Sequence, residues 1–291
     1  MKKLYQDSTF YLVVFIVSYF IYIYPFEILN DFLFNEKPNR RSSLLYSLFI
    51  SILVIFYFRS KNTFLPLKFF IYEGMGIGFI SFWIINISLI VNYFKIIDKY
   101  TLGVLSLFLI IIISLVGILY GRLIFTKKIK ILSNKIKKQS NIIFISDVHL
   151  GTNTISHLQK ILDKIKNLKY DFILIGGDLI DSSSFDLSKL SIFKQISKPI
   201  YFVTGNHEYY IENHREKLNK LNQFGIIILD NENIHINDIN ITGINDKQTS
   251  KEQVNKYLKL KDEQQYNLLL VHKPSIWNQV KDKVDLMLSG H

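Results

Sequence analysis

Residues 142–151 read IIFISDVHLG, a short apolar run that stops at an aspartate and a histidine two positions apart. Buried parallel strands have this appearance, and ligands of open α/β sheets bind beyond the carboxyl ends of the strands. Four later segments repeat the arrangement. They are Phe172–Gly177 before Asp178, Tyr201–Gly205 before Asn206, Leu268–Val271 before His272, and Leu286–Gly290 before His291. The sequence therefore predicts an α/β domain with a metal centre at its strand ends.

The residue types at these strand ends predict which metals would bind. Asp147 and His149 share a face of an extended turn, because alternate residues point the same way, so both can hold one ion. Asp178 follows two glycines, which allow a close approach, and its two carboxylate oxygens can bridge two ions. Carboxylate, amide and imidazole ligands suit Mn, Fe, Zn or Co. Two such ions about 3.5–4 Å apart are the usual clamp for in-line displacement at phosphorus.

Charge divides the chain into two parts. The net charge is +11, and residues up to Gln139 contain 17 Lys/Arg against 6 Asp/Glu, whereas Asn141–His291 contains 18 of each. The neutral second part argues against a nucleic-acid partner, which would require a basic face on the folded domain. The basic first part indicates a membrane surface. The absence of cysteine excludes disulfides and thiolate metal sites.

Four apolar stretches occupy the first part, and a membrane-spanning helix needs about 20 apolar residues. Buried core helices are the alternative, but soluble helices rarely lack a polar face over such lengths. The first stretch is expected to be an anchor rather than a cleaved signal, because no small-residue cleavage site follows it. The stretches are Thr9–Leu29, Ser43–Phe58, Phe69–Phe94 and Thr101–Phe125. We therefore predict a transmembrane region at 1–126, a basic linker at 127–140 and an α/β domain at 141–291.

Basic residues of the short loops predict the orientation. Twelve Lys/Arg flank the side that carries both ends of the four-helix region, and five flank the other side. This bias places the α/β domain in the cytoplasm and the chain in the cell membrane. The segment Lys127–Lys138 contains no acidic residue, so it is expected to contact anionic lipid headgroups or to be a plain solvated flank.

Helical and strand patterns alternate after residue 140. Thr154–Lys169 has helical spacing with Thr154 as its cap, Ile211–Phe224 forms a helix closed by Gly225, and Ser250–Leu260 forms a helix capped by Ser250. Three short strands, Ile226–Leu229, Ile234–Ile236 and Ile239–Thr242, are expected in a second sheet.

These motifs, in their order, carry a resemblance. The blocks DVHLG at 147–151, GDLID at 177–181, GNHE at 205–208, Val271-His272 and Ser289-Gly290-His291 resemble the calcineurin-like metallophosphoesterase superfamily, and the multi-span N-terminus is similar to its membrane-anchored bacterial branch. The resemblance implies two packed β-sheets flanked by helices and two divalent ions. By position, Asp147 and His149 would hold the first ion and Asp178 would bridge. Asn206, His272 and His291 would hold the second ion, His207 would assist the leaving group, and Asp181 and Glu208 would support the ligands.

The resemblance implies a membrane-anchored phosphoesterase that hydrolyses a phosphodiester or pyrophosphate bond. The lipid bilayer would be one partner, and the substrate could be lipid-linked, including a nucleotide-sugar lipid, or a soluble nucleotide or phosphomonoester. The family's last motif reads G-H-x-H, whereas this chain stops at its first histidine, His291. We therefore expect a domain that is incomplete at its C-terminus. The alternative is a catalytically impaired membrane protein that keeps the fold in a binding or structural role.

Overall fold

The computed structural model describes residues 2–59 and 65–291, with side chains for 8–59 and 66–291. Lys61, which contributes to the predicted orientation, lies outside the described residues, as do the side chains of Lys2 and Lys3. The chain forms two compact units, Met1–Leu123 and Ile124–His291. The predicted basic linker at 127–140 is part of the second unit.

The first unit is helical throughout its described secondary structure. Its elements are α1 (Lys2–Ser18), a π-helical segment (Tyr19–Ile23), α2 (Tyr24–Phe34), α3 (Arg40–Arg59), α4 (Leu65–Tyr93) and α5 (Lys99–Gly121). Among the described residues, four helical stretches are long and apolar enough to cross a membrane. These are Ser8–Phe34, Arg40–Arg59, Pro66–Tyr93 and Lys99–Gly121, so the predicted region of four apolar helices is confirmed.

The helices of the first unit turn apolar side chains outward and small polar ones inward. Phe49 and Phe108 are about 60% exposed, whereas Ser47, Ser88 and Ser106 are buried. The hydroxyls of Ser88 on α4 and Ser106 on α5 lie 2.7 Å apart. Small residues and shared hydroxyl bonds at helix contacts are typical of helices that pack within a bilayer.

The second unit contains two four-stranded sheets in its described part. Its strands are β1 (Ile142–Ile145), β2 (Phe172–Ile175), β3 (Ile200–Phe202), β4 (Ile226–Ile228), β5 (Glu232–Ile236), β6 (Ile239–Ile244), β7 (Tyr266–Val271) and β8 (Leu286–Leu288). The first sheet is parallel in the order β1-β2-β3-β4. The second has the order β5-β6-β7-β8, with β5 antiparallel to β6 and the other pairs parallel. A second sheet is present as predicted, and it contains the strands expected at Ile234–Ile236 and Ile239–Thr242. The strand expected at Ile226–Leu229 was assigned to the wrong sheet, because it pairs in parallel with β3 and forms β4 of the first sheet.

Helices and 3₁₀ turns connect these strands. The α-helices are α6 (Ile155–Lys166), α7 (Asn206–Tyr210), α8 (His214–Asn219), α9 (Ser250–Leu260) and α10 (Trp277–Val280). The 3₁₀ segments are Leu187–Gln195, Lys220–Phe224 and Pro274–Ile276.

Three apolar layers hold the second unit together. The layer between α6 and the first sheet contains Leu158, Leu162, Ile173, Ile175 and Phe202. The layer between the two sheets contains Phe172, Leu174, Val203, Ile241, Leu268 and Leu270. The layer under α9 contains Ile244, Val254, Tyr257, Leu269 and Val271. Burying each such aliphatic side chain contributes about 1.5–3 kcal/mol. The architecture is two packed sheets with helices outside, as predicted.

Two helix predictions are wrong in detail, and a third, the cap of α6, is right in position only. The stretch Ile211–Phe224 is not one helix but α8 followed by a 3₁₀ segment, and it ends at Gly225 in a left-handed conformation, as predicted. Thr154 occupies the cap of α6 but its side chain makes no capping hydrogen bond. The cap of α9 is Thr249 rather than Ser250, because the Thr249 hydroxyl accepts the Glu252 N–H and Glu252 accepts the Thr249 N–H.

Candidate metal centre

Three predicted ligands sit on left-handed backbone just beyond strands β1 and β2. The φ angles are +55° at Asp147, +52° at His149 and +54° at Asp178, a region that L-residues rarely adopt. Backbone bonds hold these turns together. The N–H of Asp147 donates to Gly177 O at 3.1 Å, and the N–H of His149 donates to Asp178 O at 2.9 Å. Strained backbone that the surrounding structure holds in place is a feature of functional sites.

Two glycines leave the space that the ligands fill. Gly177 has φ +92°, and a β-carbon there would lie 2.5 Å from His272 Nδ1. A β-carbon on Gly205 would lie 2.1 Å from Asp178 Oδ1. Neither position admits a side chain without displacing a predicted ligand, so the glycines allow the turns after β2 and β3 to approach closely.

The carboxylate of Glu208 joins the turns after β2 and β3. Its Oε2 accepts the N–H groups of Gly205 at 2.7 Å and Asp178 at 3.0 Å. Its Oε1 accepts the N–H of Ile180 at 2.9 Å. Burial raises the pKa of Glu208 to about 7, although the N–H donors lower it. Glu208 therefore fixes the backbone around the ligands rather than facing the site.

Asp178 lies at the middle of the ligand set and is 2% exposed. Its Oδ2 is 3.2 Å from His272 Nε2, 3.7 Å from His149 Nε2 and 4.0 Å from His207 Nε2. Burial raises the pKa of the Asp178 carboxyl, but His272 and the N–H of His207 lower it by more, so its pKa lies below the usual value. Burial lowers the pKa of His272, but Asp178 and the Gly176 carbonyl raise it by more. The site therefore favours positive charge between these side chains.

Eight buried side-chain atoms lack a hydrogen-bond partner among the described residues, and two of them belong to predicted ligands: Asn206 Oδ1 and His272 Nε2. His272 Nδ1 donates to the carbonyl of Gly176 at 2.8 Å, which turns Nε2 toward the ligand set, 3.2 Å from Asp178 Oδ2. Metal-bound histidines commonly donate their other ring N–H to a carbonyl in this way. An amide oxygen and an imidazole nitrogen are both donors that divalent ions accept, so these two atoms fit a metal site.

Within the described residues, two groups of side chains bring their ligand atoms within 4.8 Å of one another. One group is His149, Asp178 and His207, and the other is Asp147, Asp178 and His272. Asp178 belongs to both groups, which is the geometry expected of a bridging carboxylate. His207 is close enough to ligate, so its predicted role at the leaving group stays a prediction.

The remaining predicted residues lie around these groups. His149 Nδ1 is 3.3 Å from a carboxylate oxygen of Asp181, an arrangement that orients a ligating imidazole. The N–H of His291 lies 3.1 Å from Asp147 Oδ2, and its ring centroid is 5.3 Å from that of His272. His291 is exposed and belongs to neither group.

Sequence reasoning missed one supporting residue. The hydroxyl of Ser146 donates to Gly176 O at 3.0 Å, the same carbonyl that holds His272. Its position as the last residue before Asp147 was the available signal, since side chains next to a ligand at a strand end often support the neighbouring turn.

The comparisons with known proteins agree with this geometry. The profile of the calcineurin-like phosphoesterase family matches residues 140–291. An uncharacterized metallophosphoesterase of Helicobacter pylori is 35% identical over 182 residues, which cover 57% of this chain and 47% of the relative. An uncharacterized Bacillus subtilis protein, YpbG, is 30% identical over 164 residues, which cover 53% of this chain and 61% of the relative.

A zebrafish (Danio rerio) transmembrane protein with a metallophosphoesterase domain is also similar. It is 28% identical over 177 residues, which cover 52% of this chain and 39% of the relative. The chain thus spans about half the length of the curated relatives it matches. Four apolar helices and transmembrane relatives together indicate a membrane protein.

Proposed function

We propose that this chain, which belongs to the calcineurin-like phosphoesterase family, is a membrane-anchored phosphoesterase that uses two divalent metal ions to hydrolyse a phosphodiester or pyrophosphate bond. The observation that carries the proposal is that two groups of ligand atoms, His149 with His207 and Asp147 with His272, share the carboxylate of Asp178. When bound, a pair of divalent ions activates a water molecule and stabilises charge on the phosphoryl oxygens.

The side chains of the chain itself have separate tasks in this proposal. Asp178 would hold both ions. As the resemblance assigns them, Asp147 and His149 would hold the first ion, and Asn206, His272 and His291 would hold the second. His207, half-buried at the edge of the site, would give a proton to the departing oxygen, a role that imidazole often fills. Glu208 and Asp181 keep the ligand-bearing turns and rings in position.

The metal site is tested by Asp178→Asn in the full-length protein in detergent. Asparagine tolerates left-handed backbone but removes the bridging charge. Hydrolysis of bis(4-nitrophenyl) phosphate with Mn²⁺ should fall by more than the roughly 10–100-fold loss that follows removal of a supporting residue. Mn²⁺ at about 100 times its dissociation constant should stabilise the wild type by about 2.7 kcal/mol, seen as a rise in Tm that the variant loses.

Asp163→Asn is the matched control, because Asp163 is an exposed carboxylate on α6. This variant should keep both the activity and the Mn²⁺-dependent rise in Tm. Retained activity in Asp178→Asn would remove the bridging role. A wild type that binds Mn²⁺ but hydrolyses no phosphoester would favour the binding or structural alternative.

A lipid-linked substrate is the finer part of the proposal. Four apolar helices on the same chain as the phosphoesterase domain would keep that domain near the bilayer, where soluble substrates gain nothing from anchoring. Hydrolysis of phosphodiesters and pyrophosphates should therefore be compared for lipid-linked and water-soluble forms of one headgroup. A higher kcat/KM on the soluble form would contradict this part of the proposal.

A cytoplasmic α/β domain is supported by the twelve-to-five bias of basic residues. The chain lacks cysteine, so single cysteines can report the side of the membrane. In spheroplasts, an impermeant maleimide should label Lys37→Cys, in the loop between α2 and α3, without lysis. It should label Lys198→Cys, which is exposed before β3, only after lysis. The reverse pattern would overturn the orientation.

A further inference from the structure

A cleft of about 430 Å³ opens beside the metal centre in the second unit. Its walls come from α7, α8, the turn after β6 and the residue after His272. Asn206, Tyr209, Tyr210, His214, Arg215, Asp246, Lys247 and Lys273 line it. An adjoining hollow of about 400 Å³ is also bordered by Tyr209, His214, Arg215 and Lys247.

The charge of this cleft is cationic. Among its described lining residues, Asp246 is the single acidic side chain, and it already pairs with Lys273 at 2.6 Å. Arg215 and Lys247 are exposed, and their side chains form no ion pair within the described part of the chain. Two cations without a partner and a nearby histidine, His214, therefore face the space in the cleft.

The cleft is continuous with the metal centre. Asn206, whose Oδ1 is buried without a partner among the described residues, lines it. The ring of Tyr210, on the cleft wall, lies 5.6 Å from the ring of His207. A molecule held by the ligand set could therefore extend past Asn206 and His207 toward Arg215 and Lys247.

From this placement we propose that the cleft is a subsite for a second anionic group of the substrate, a phosphate or a carboxylate, next to the phosphoryl group that is cleaved. Arg215 and Lys247 bind this group, Arg215 through the paired N–H donors that suit planar oxyanions. The inference deepens the proposed phosphoesterase function and rests on it. It predicts a preference for phosphoesters that carry an additional negative charge.

The test compares two esters with the same leaving group in the full-length protein with Mn²⁺. They are the 4-nitrophenyl ester of thymidine 5′-phosphate and the same ester carrying a 3′-phosphate. The wild type should show a kcat/KM about tenfold higher for the 3′-phosphorylated ester, the size of one charge-assisted hydrogen bond. Lys247→Ala and Arg215→Ala should each lower this ratio about three- to tenfold, mainly through KM, and Arg215→Lys should restore part of it.

Lys251→Ala is the matched control, because Lys251 is an exposed lysine on α9 outside the cleft. In Lys251→Ala, the ratio of kcat/KM for the 3′-phosphorylated ester to that for the other ester should equal the wild-type ratio. Equal kcat/KM for both esters in the wild type, or a ratio that survives both substitutions, would overturn the subsite and leave the phosphoesterase standing. Failure to hydrolyse either ester would overturn both.

Discussion

The two sheets supply the metal centre in different ways. Beyond the first sheet, Asp147, His149 and Asp178 sit on left-handed backbone, and Glu208 ties the turns together through three N–H groups. Beyond the second sheet, His272 directly follows the regular strand β7 and needs one bond, to Gly176 O, to point at the site. Left-handed backbone therefore places the ligands after β1 and β2, whereas His272 follows a regular strand and is held through its side chain. His291, after β8, again has left-handed backbone, at φ +64°. The ligand geometry therefore depends mainly on the first sheet.

Glu208→Ala is expected to have the largest effect on the turns beyond the first sheet. Three buried N–H groups would lose their acceptor, at about 1–3 kcal/mol each, so the second unit should lose about 3–9 kcal/mol of stability. Its Tm in detergent should fall by about 10 °C or more, and Mn²⁺ binding should weaken with it.

Glu263→Ala, in which an exposed carboxylate is removed, should leave Tm within about 1–2 °C of wild type. Glu208→Gln keeps one carbonyl acceptor, so its Tm should lie between those of Glu208→Ala and Glu263→Ala. If Glu208→Ala has the same Tm as the wild type, the turns beyond the first sheet do not depend on this carboxylate.

His207→Ala tests whether the turns beyond the first sheet supply a proton donor as well as metal ligands. If His207 protonates the leaving group, its loss should slow hydrolysis of an alkyl diester by about 10²–10⁴, equivalent to roughly 3–5 kcal/mol. A nitrophenyl diester, whose leaving group needs little help, should be affected far less.

Metal content measured by mass spectrometry should stay at the wild-type level in His207→Ala. His235→Ala, at an exposed histidine on β5, should change neither substrate. Equal losses of hydrolysis rate on both diesters, together with the loss of one metal ion per chain, would show that His207 is a metal ligand.

Gly177→Ala tests the close contact between the turn after β2, in the first sheet, and His272, which follows β7 in the second sheet. A β-carbon there would combine left-handed strain, about 1 kcal/mol, with crowding against His272 Nδ1, which adds about 1–3 kcal/mol. Gly225→Ala also has left-handed backbone, at φ +80°, but nothing lies within 4 Å of the added carbon. The difference between the two losses in Tm therefore reports the crowding at Gly177 against His272 and the backbone nitrogen of Gly205, and equal losses would show that these neighbours move aside freely.

Apolar patterning made the strands and spans predictable. Each of the five runs that led to a ligand is a strand in the structure, and the four apolar stretches are helices, because burial and length determine both. The residues that directly follow the strands predicted which types of metal ligand the site would contain.

Local capping and backbone conformation were less predictable. Thr249 and Ser250 are both good caps, and only the reciprocal bond with Glu252 selects Thr249. The break between α8 and the following 3₁₀ segment lies within one continuous helical pattern. The left-handed turns at Asp147, His149 and Asp178 depend on bonds between separate loops, which no local pattern contains.

The left-handed conformation of Asp147 and Asp178 also governs which variants can be inherited. Asparagine and glycine are the residues that enter this region most easily beside aspartate, and single-nucleotide changes reach both from aspartate codons. Drift at these positions would therefore pass through folded but metal-poor proteins, and a mutational scan scored on abundance alone should tolerate asparagine at position 178. Scored on turnover, the same scan should reject it.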